Sequence, residues 1–461
     1  MTRWQERDWH PNTDLGRLLN ASGASREAFA LRVNELTWQA GIRTQYTNTS
    51  VTNWVKRGMI PRPPTPACIA AALGERLGRP VSVADIGMSE PRGGNPDVGL
   101  DFPRESADAV RGVTEFWRHV DRRAFLNRSF AVGAFAIPVT RWLAVPADAA
   151  TDHRGPRRVG REDLDQLWQA VEDARLADSR FGGGNWKSSS VATCLREYAT
   201  PLLQGTYTEE TGKALFRATA ELTRQIGWSA FDAGHHGAAQ RHFIQALRLA
   251  RAAGDIHVGA YVLTTMSLAA FLRGHPSEAV DMAEGAYERA KNLPGGTKVL
   301  SFAKLAQARA HARAGEANEA TAALVLSENL LDQAQPDTHP SWMNYYTRER
   351  LATDATEIYR DLGRSRDALA WSRQADAMPA DRYTRAVGIR LAVEASVHLQ
   401  NDDLDQGLAV ADRSVRLLSQ VRSARAHGYV HDLTTLLAPR QRDKRVAAFV
   451  EHTRRSLPAA S

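Results

Sequence analysis

The chain has 461 residues, enough for two or three domains with separate cores. Hydrophobic residues make up 43% and charged residues 24%, the balance of a soluble globular protein, and no run of 18 apolar residues is present to span a membrane. Lys+Arg 59 against Asp+Glu 52 leaves +7, which permits a polyanionic partner without requiring one, while two distant cysteines, Cys68 and Cys194, exclude a disulfide framework or zinc cluster and suit a reducing, cytoplasmic compartment.

The chain begins MTRWQERDWHPNTD, too polar for a secretory signal. Residues 14–21 predict a first helix. Ser25 caps a second, Arg26-Glu-Ala-Phe-Ala-Leu-Arg-Val33, and a long polar loop from Glu35 to Tyr46 follows. Thr47 and Gly58 bracket a third helix. Its Val51, Trp54 and Val55 form one apolar face at i, i+3, i+4. Asn48, Thr49, Thr52 and Asn53 fall on the other side, with Lys56 and Arg57 at the end. Amides and hydroxyls on a short helix can meet base edges in a major groove, and cations beside them can take phosphates. The charge agrees: no acidic residue lies between Glu35 and Glu75, where Arg43, Lys56, Arg57 and Arg62 stand. A fourth helix runs from Pro64-Thr-Pro66 to Leu77, and Val83-Ala-Asp-Ile86 makes a short final turn.

This series resembles the five-helix, phage-repressor-like (XRE-type) helix-turn-helix, in Ser25-Arg-Glu-Ala-Phe-Ala, Val51-Thr-Asn-Trp-Val-Lys-Arg-Gly58 and Leu73-Gly-Glu-Arg-Leu-Gly-Arg-Pro-Val81. The resemblance implies that Asn48, Thr49, Thr52 and Asn53 face bases in double-stranded DNA. It also implies that Arg26, Arg43, Lys56, Arg57 and Arg62 contact the phosphate backbone. The loop from Glu35 to Tyr46 is longer than that family's three or four residues, which leaves the base register open.

Residues 1–90 thus form one expected domain. Residues 91–160 read as a linker, opening with the Gly/Pro-rich Ser89–Arg104 stretch. Within it, Asp121-Arg-Arg-Ala-Phe-Leu-Asn-Arg-Ser-Phe-Ala-Val-Gly-Ala-Phe-Ala-Ile-Pro138 looks like a twin-arginine export signal. Its interior position argues instead for an apolar helix over 122–136 that packs on the following domain or on a dimer mate.

Residues 161–461 carry helix patterns with recurring breaks: Gly234-His-His-Gly-Ala-Ala239, Gly274-His-Pro-Ser-Glu-Ala279, Gly315-Glu-Ala-Asn-Glu-Ala320, Gly363-Arg-Ser-Arg-Asp-Ala368 and a weaker Asp402-Asp-Leu-Asp-Gln-Gly407. Each joins a turn residue to a small residue five positions on, where close helix packing needs it. The spacings of 40, 41, 48 and 39 residues suit paired-helix repeats. Gly227, Ala239, Phe243 and Ala246, and again Tyr359, Ala368 and Ala375, resemble the small, aromatic and Ala positions of tetratricopeptide repeats. The expected fold is therefore all-α: a helix-turn-helix domain, a linker helix and a tetratricopeptide-like solenoid of five or six helix pairs. An irregular helical bundle is the alternative for the last part.

Taken with Phe181-Gly-Gly-Gly184, Pro201-Leu-Leu-Gln-Gly205 and Gly227-Trp-Ser-Ala-Phe-Asp-Ala-Gly234, this order resembles a large actinobacterial family of regulators. The resemblance implies transcriptional regulation in the cytoplasm, and one short reading helix, which covers few base pairs, calls for two half-sites and a homodimer. The concave face of such a solenoid offers Tyr261, Thr265, Arg309, Asn344, Tyr345, Arg348 and Glu394 as a groove for a peptide, small-molecule or protein effector. Gly182-Gly-Gly-Asn-Trp-Lys-Ser188 lacks the glycine a phosphate loop needs before its lysine and reads as a flexible connection. His427 and His431 share a helix face with no third ligand nearby, so neither metal, cofactor nor enzymatic activity is expected. A protein-interaction scaffold with a vestigial helix-turn-helix is the main alternative function. An exported repeat protein started at Met88 is the lesser one.

Overall fold

The computed structural model describes residues 11–39, 44–61, 65–78, 81, 83, 85–88, 98–119, 129–144, 151–186, 189–335 and 340–457. The chain divides into two compact units, Met1–Pro96 and Asp97–Ser461. Among the described residues all regular structure is helical, with only isolated bridges at His153–Tyr207 and Arg158–Thr206.

In the first unit α1 (Thr13–Ala21), α2 (Arg26–Gln39), α3 (Asn48–Arg57) and α4 (Thr65–Leu77) enclose Leu15, Leu19, Phe29, Val33, Val51, Trp54, Ile69 and Leu73. Asn12 begins α1: its carboxamide oxygen accepts from Leu15 N at 2.9 Å, and its Nδ2 donates to Ile86 O at 2.9 Å. One side chain therefore caps a helix and ties down the closing turn. That turn, described at residues 83 and 85–87, stands where the expected fold has its fifth helix. The connection into α3 is shorter than the sequence suggests, because α2 continues to Gln39. Asn34 on α2 closes it. Its side chain accepts from Tyr46 N at 2.8 Å and donates to Tyr46 O at 2.9 Å. A single side-chain amide thereby holds both backbone groups of Tyr46, just before α3.

In the second unit α5 (Ser106–His119), α6 (Ala136–Ala144) and α7 (Arg161–Phe181) precede six helix pairs. The pairs are α8 (Glu209–Asp232) with α9 (His236–Ala253), α10 (Ile256–Leu272) with α11 (Pro276–Ala290), and α12 (Thr297–Ala314) with α13 (Ala317–Asp332). They continue with α14 (Arg348–Asp361) and α15 (Ser365–Gln374), α16 (Thr384–Gln400) and α17 (Leu404–Leu418), and α18 (Ala424–Leu437) and α19 (Lys444–Ser456).

The first five pairs are joined by one repeated turn. Gly234, Gly274, Gly315 and Gly363 have φ between 68° and 89°, and Asp402, at 60°, is the one described non-glycine residue with positive φ. At each break the next amide reaches back five residues: His235 N to Ala230 O, His275 N to Ala270 O, Glu316 N to His311 O, Arg364 N to Tyr359 O and Asp403 N to His398 O. This is the Schellman closure, which satisfies the last carbonyls of the first helix. Five residues after each turn residue stand Ala239, Ala279, Ala320, Ala368 and Gly407, all buried. The weakest sequence copy thus has the same turn as the others.

In the described part of the expected helix 122–136, residues 129–136, the structure differs from the expectation. Residues 121–128, with both arginines of the twin-arginine-like stretch, lie outside the described residues. Residues 129–131 are non-helical, Val132–Phe135 is a 3-10 turn, and the α-helix starts at Ala136. Pro138 suits the observed start: lacking an N–H, it is accommodated in the first turn of a helix, where no amide partner is due. The segment does pack on the repeats. Gln240 exchanges hydrogen bonds with both backbone groups of Ala131, and Trp142 lies under Arg289, 4.7 Å from guanidinium to ring.

The chain entering this unit is also held on α9. Arg241, Gln245 and Arg248, on one helix face, donate to the carbonyls of Val98, Gly99, Asp101, Pro103 and Arg104 at 2.6–3.1 Å. Beside them His242 is fully buried against Phe116 (4.7 Å) and Trp186 (6.0 Å), with neither ring nitrogen hydrogen-bonded.

Two expectations follow. Gly315→Ala meets no atom within 4 Å, so its cost is the left-handed backbone alone, about 1 kcal/mol. Asp402→Gly should leave the urea midpoint unchanged or raise it, and equal losses for the two variants would refute a common turn. Burial lowers His242 from 6.5 to about 3, and burial with Arg273 and His235 lowers His236 to about 4. Both stay neutral when folded while the unfolded chain takes up protons, so their contribution is intact above pH 6.5 and falls away below it. At pH 5 the loss from His242 is about 2 kcal/mol. Denaturation midpoints of His242→Leu at pH 7.5 and 5 should differ less than those of the parent.

Candidate functional site

Two places in the molecule gather chemistry-bearing side chains. The first is the outer face of α3. Val51 and Trp54 are buried, and Trp54 meets Tyr46 edge-on at 4.9 Å. Rotation of the helix is thereby fixed: with its apolar residues inside, Asn48, Thr49, Lys56 and Arg57 are exposed and Thr52 and Asn53 half-buried. Ser50 Oγ accepts from Thr47 N at 3.2 Å, and Gly58 ends the helix at φ 61°. Thr52 is already engaged, since its hydroxyl donates to Asn48 O at 2.9 Å and accepts from Arg26 Nη1 at 3.2 Å. That contact brings Arg26 from α2 onto the α3 face. Arg43 and Arg62 lie outside the described residues.

The second is a cavity of about 110 Å³ inside the second unit, lined from α7, α8, α10, α12, α14, α16 and α18. The first helices of successive pairs therefore surround it. Of the groove residues expected from sequence, Tyr261, Thr265, Arg309 and Tyr345 line this cavity, and the Tyr261 and Tyr345 hydroxyls are 2.7 Å apart. Asn344, Arg348 and Glu394 do not line it. Arg348 instead pairs with Glu328 and with Asp332 at 2.8 Å, and Glu394 pairs with Arg390 at 3.2 Å and bonds Ser372.

Residues that sequence reasoning did not select close the cavity. Asp232, at the end of α8, meets Arg385 at 2.9 Å and Arg425 at 3.1 Å and accepts from Gly183 N at 3.0 Å. Asp178 meets Arg385 at 2.5 Å. Glu357 accepts from Arg309 at 2.6 Å and from Tyr429 OH at 2.8 Å. These pairs link the first helix pair to the fifth and sixth, and the third to the fourth. Burial pushes Asp232 and Glu357 up, but the surrounding guanidinium groups override it. Arg385 and Arg425 for Asp232, and Arg309, Arg360 and Arg313 for Glu357, hold both carboxyls below their ordinary values. The only sequence trace of this network is arginine at helix positions that also face inward, such as Arg224 between Leu222 and Ile226.

The triple glycine also takes on a definite role. A Cβ on Gly183 would sit 2.0 Å from Ser229 O, and one on Gly182 2.6 Å from Arg422 O. Gly184 N donates to Arg422 O at 2.9 Å, and Arg422 N to Phe181 O at 2.8 Å. This stretch is a close-packed contact between distant parts of the unit, where the sequence suggested a flexible connection.

Asp232→Asn keeps the shape but leaves Arg385 and Arg425 short of an anion. Breaking a buried pair on one side costs about 3–5 kcal/mol. Chemical denaturation should show a loss of that order; a change below about 1 kcal/mol would mean the network does not hold the unit closed.

Among the described residues no group of three or more His, Cys, Asp or Glu is arranged to hold a metal ion, and no helix is long and apolar enough to cross a membrane. No curated protein matches the chain. Residues 15–89, which run from within α1 through α4 and past the closing turn, match the family model of the SP15 N-terminal domain.

Proposed function

We propose that the chain is a sequence-specific DNA-binding transcriptional regulator that acts as a homodimer. In this reading the first unit is a phage-repressor-like helix-turn-helix domain, and the second is a tetratricopeptide-like solenoid that receives an effector. The observation that carries it is the orientation of α3: Val51 and Trp54 are buried, so Asn48, Thr49, Lys56 and Arg57 are left together on an exposed face. Amides and hydroxyls of that kind read base edges, and the two cations, with Arg26 beside Thr52, take phosphates. One short helix covers few base pairs, so useful affinity requires two half-sites and a two-fold partner.

A second reading, a protein-interaction scaffold, draws on the exposure of Leu31, Trp38, Met59 and Ile60 in the first unit. Such apolar residues suit a protein surface as well as a dimer contact.

Genome-wide pull-down of DNA with the tagged full-length chain distinguishes the two, since only the regulator enriches a common sequence. On the enriched site, Asn53→Ala should relax the preference at one base pair at a cost of about 1–3 kcal/mol. Arg57→Ala should weaken all sites alike and reduce the salt slope by about one. If neither changes a footprint, α3 is not the reading helix.

A further inference from the structure

We propose that the cavity within the repeats binds a small molecule consisting of a compact anion, carboxylate or phosphate, on a flat apolar body. The inference rests on the regulator reading only for the claim that this ligand is the effector; the site itself stands on the following observations.

The first is charge. Seven of the lining residues are arginines and three, Asp178, Asp354 and Glu357, are carboxylates, so the wall carries an excess of four positive charges. The acids that offset this excess are not on the wall: Glu172 pairs with Arg175, Glu221 with Arg224, Asp232 with Arg385 and Arg425, and Asp376 and Glu394 with Arg390. Each guanidinium is thus already paired, and an entering anion meets the donors that these pairs leave over.

The second is unused donors. Nη1 of Arg175, Nε of Arg309 and Nε of Arg390 are buried without a hydrogen-bond partner, on residues that are 7%, 6% and 3% exposed. A buried N–H left unpaired costs about 1–3 kcal/mol, so three on one wall are costly unless an acceptor comes to them. Guanidinium forks fit the planar oxygen pair of a carboxylate and the oxygens of a phosphate alike.

The third is the flat walls. Arg224 lies over the Tyr261 ring at 4.4 Å and Arg175 over Tyr345 at 5.2 Å, with Phe302 5.7 Å from Tyr261. Rings and guanidinium planes are already layered there, and a planar ligand can join them.

Size excludes the extended peptide expected of an open groove. About 110 Å³ admits on the order of eight water-sized positions. The ion pairs Asp232–Arg425 and Asp178–Arg385 also close the wall on the side where the first and last repeats meet. A compact ligand fits that space and a chain of several residues does not.

Full-length protein is titrated by calorimetry and thermal shift with 4-hydroxybenzoate and phenyl phosphate, and with benzyl alcohol and benzamidine as neutral and cationic counterparts. At least one anion should bind saturably and raise the melting temperature by about 2 °C, with no such response to the other two. The stronger of the two identifies which anion the arginines prefer. Arg175→Gln should weaken that binding at least tenfold. Thr265→Leu, which fills the cavity from α10 and leaves every charge in place, should abolish it even where Arg175→Gln does not fold. Equal responses to anion and benzyl alcohol, or undiminished binding by Thr265→Leu, overturn the proposal. Anion binding by a protein that enriches no DNA sequence supports the site and removes the regulator reading. Sequence-specific DNA binding without any anion response does the reverse.

Discussion

One buried carboxylate draws the ends of the second unit together. Asp232 is fully buried and draws together Gly183 N, Arg385 and Arg425, which belong to three parts of the chain separated by about 50 to 240 residues. A charge in a low-dielectric interior is tolerated only when paired and hydrogen-bonded, so the geometry around it is narrowly constrained. The glycines at 182–184 have to lie close, α16 has to present Arg385, and α18 has to present Arg425. A string of helix pairs stacked only on nearest neighbours has free ends; here the ends meet through Asp232, and the inner surface becomes a cavity.

That closure changes what the inner surface can do. Arg309 and Tyr345 look like groove residues when the repeats are imagined as an open array. In the folded unit Arg309 is engaged with Asp354 and Glu357, and Tyr345 with Tyr261. Polar residues on concave helices have here become the cement of the unit, and the room left among them is small, cationic and walled by rings. The same economy of contacts appears on the outside, where Arg241, Gln245 and Arg248 use one helix face to hold the backbone of residues 98–104. The first helix pair is therefore bonded directly to the backbone of the segment that follows Pro96.

Much of the local structure was legible in the sequence. The ends of α3 were marked by Thr47 and Gly58, its inner face by Val51 and Trp54, and five interhelix turns by a turn residue with a small residue five positions on. These are short-range effects: a cap, an apolar period and a left-handed residue each act within one or two helical turns. Asp402 carries the lesson furthest, because it occupies the left-handed position without being glycine, and the register of the repeat still identified it. Where local reading went astray, in the described part of 122–136, it followed the apolar run, and the structure has a 3-10 turn over Val132–Phe135 with the α-helix beginning at Ala136.

The sequence by itself determined the helices, their breaks and the face each turns inward, because those follow from backbone sterics and from the period of apolar side chains. Only the tertiary structure decided which of the inward-facing polar residues share a site. Asp178, Asp232, Arg385, Arg425 and Tyr429 are up to 251 positions apart in the chain, and no local pattern relates a carboxylate on α8 to guanidinium groups on α16 and α18. Their pairing is imposed by the cost of burying a lone charge, a requirement that applies only once the repeats have folded back on themselves.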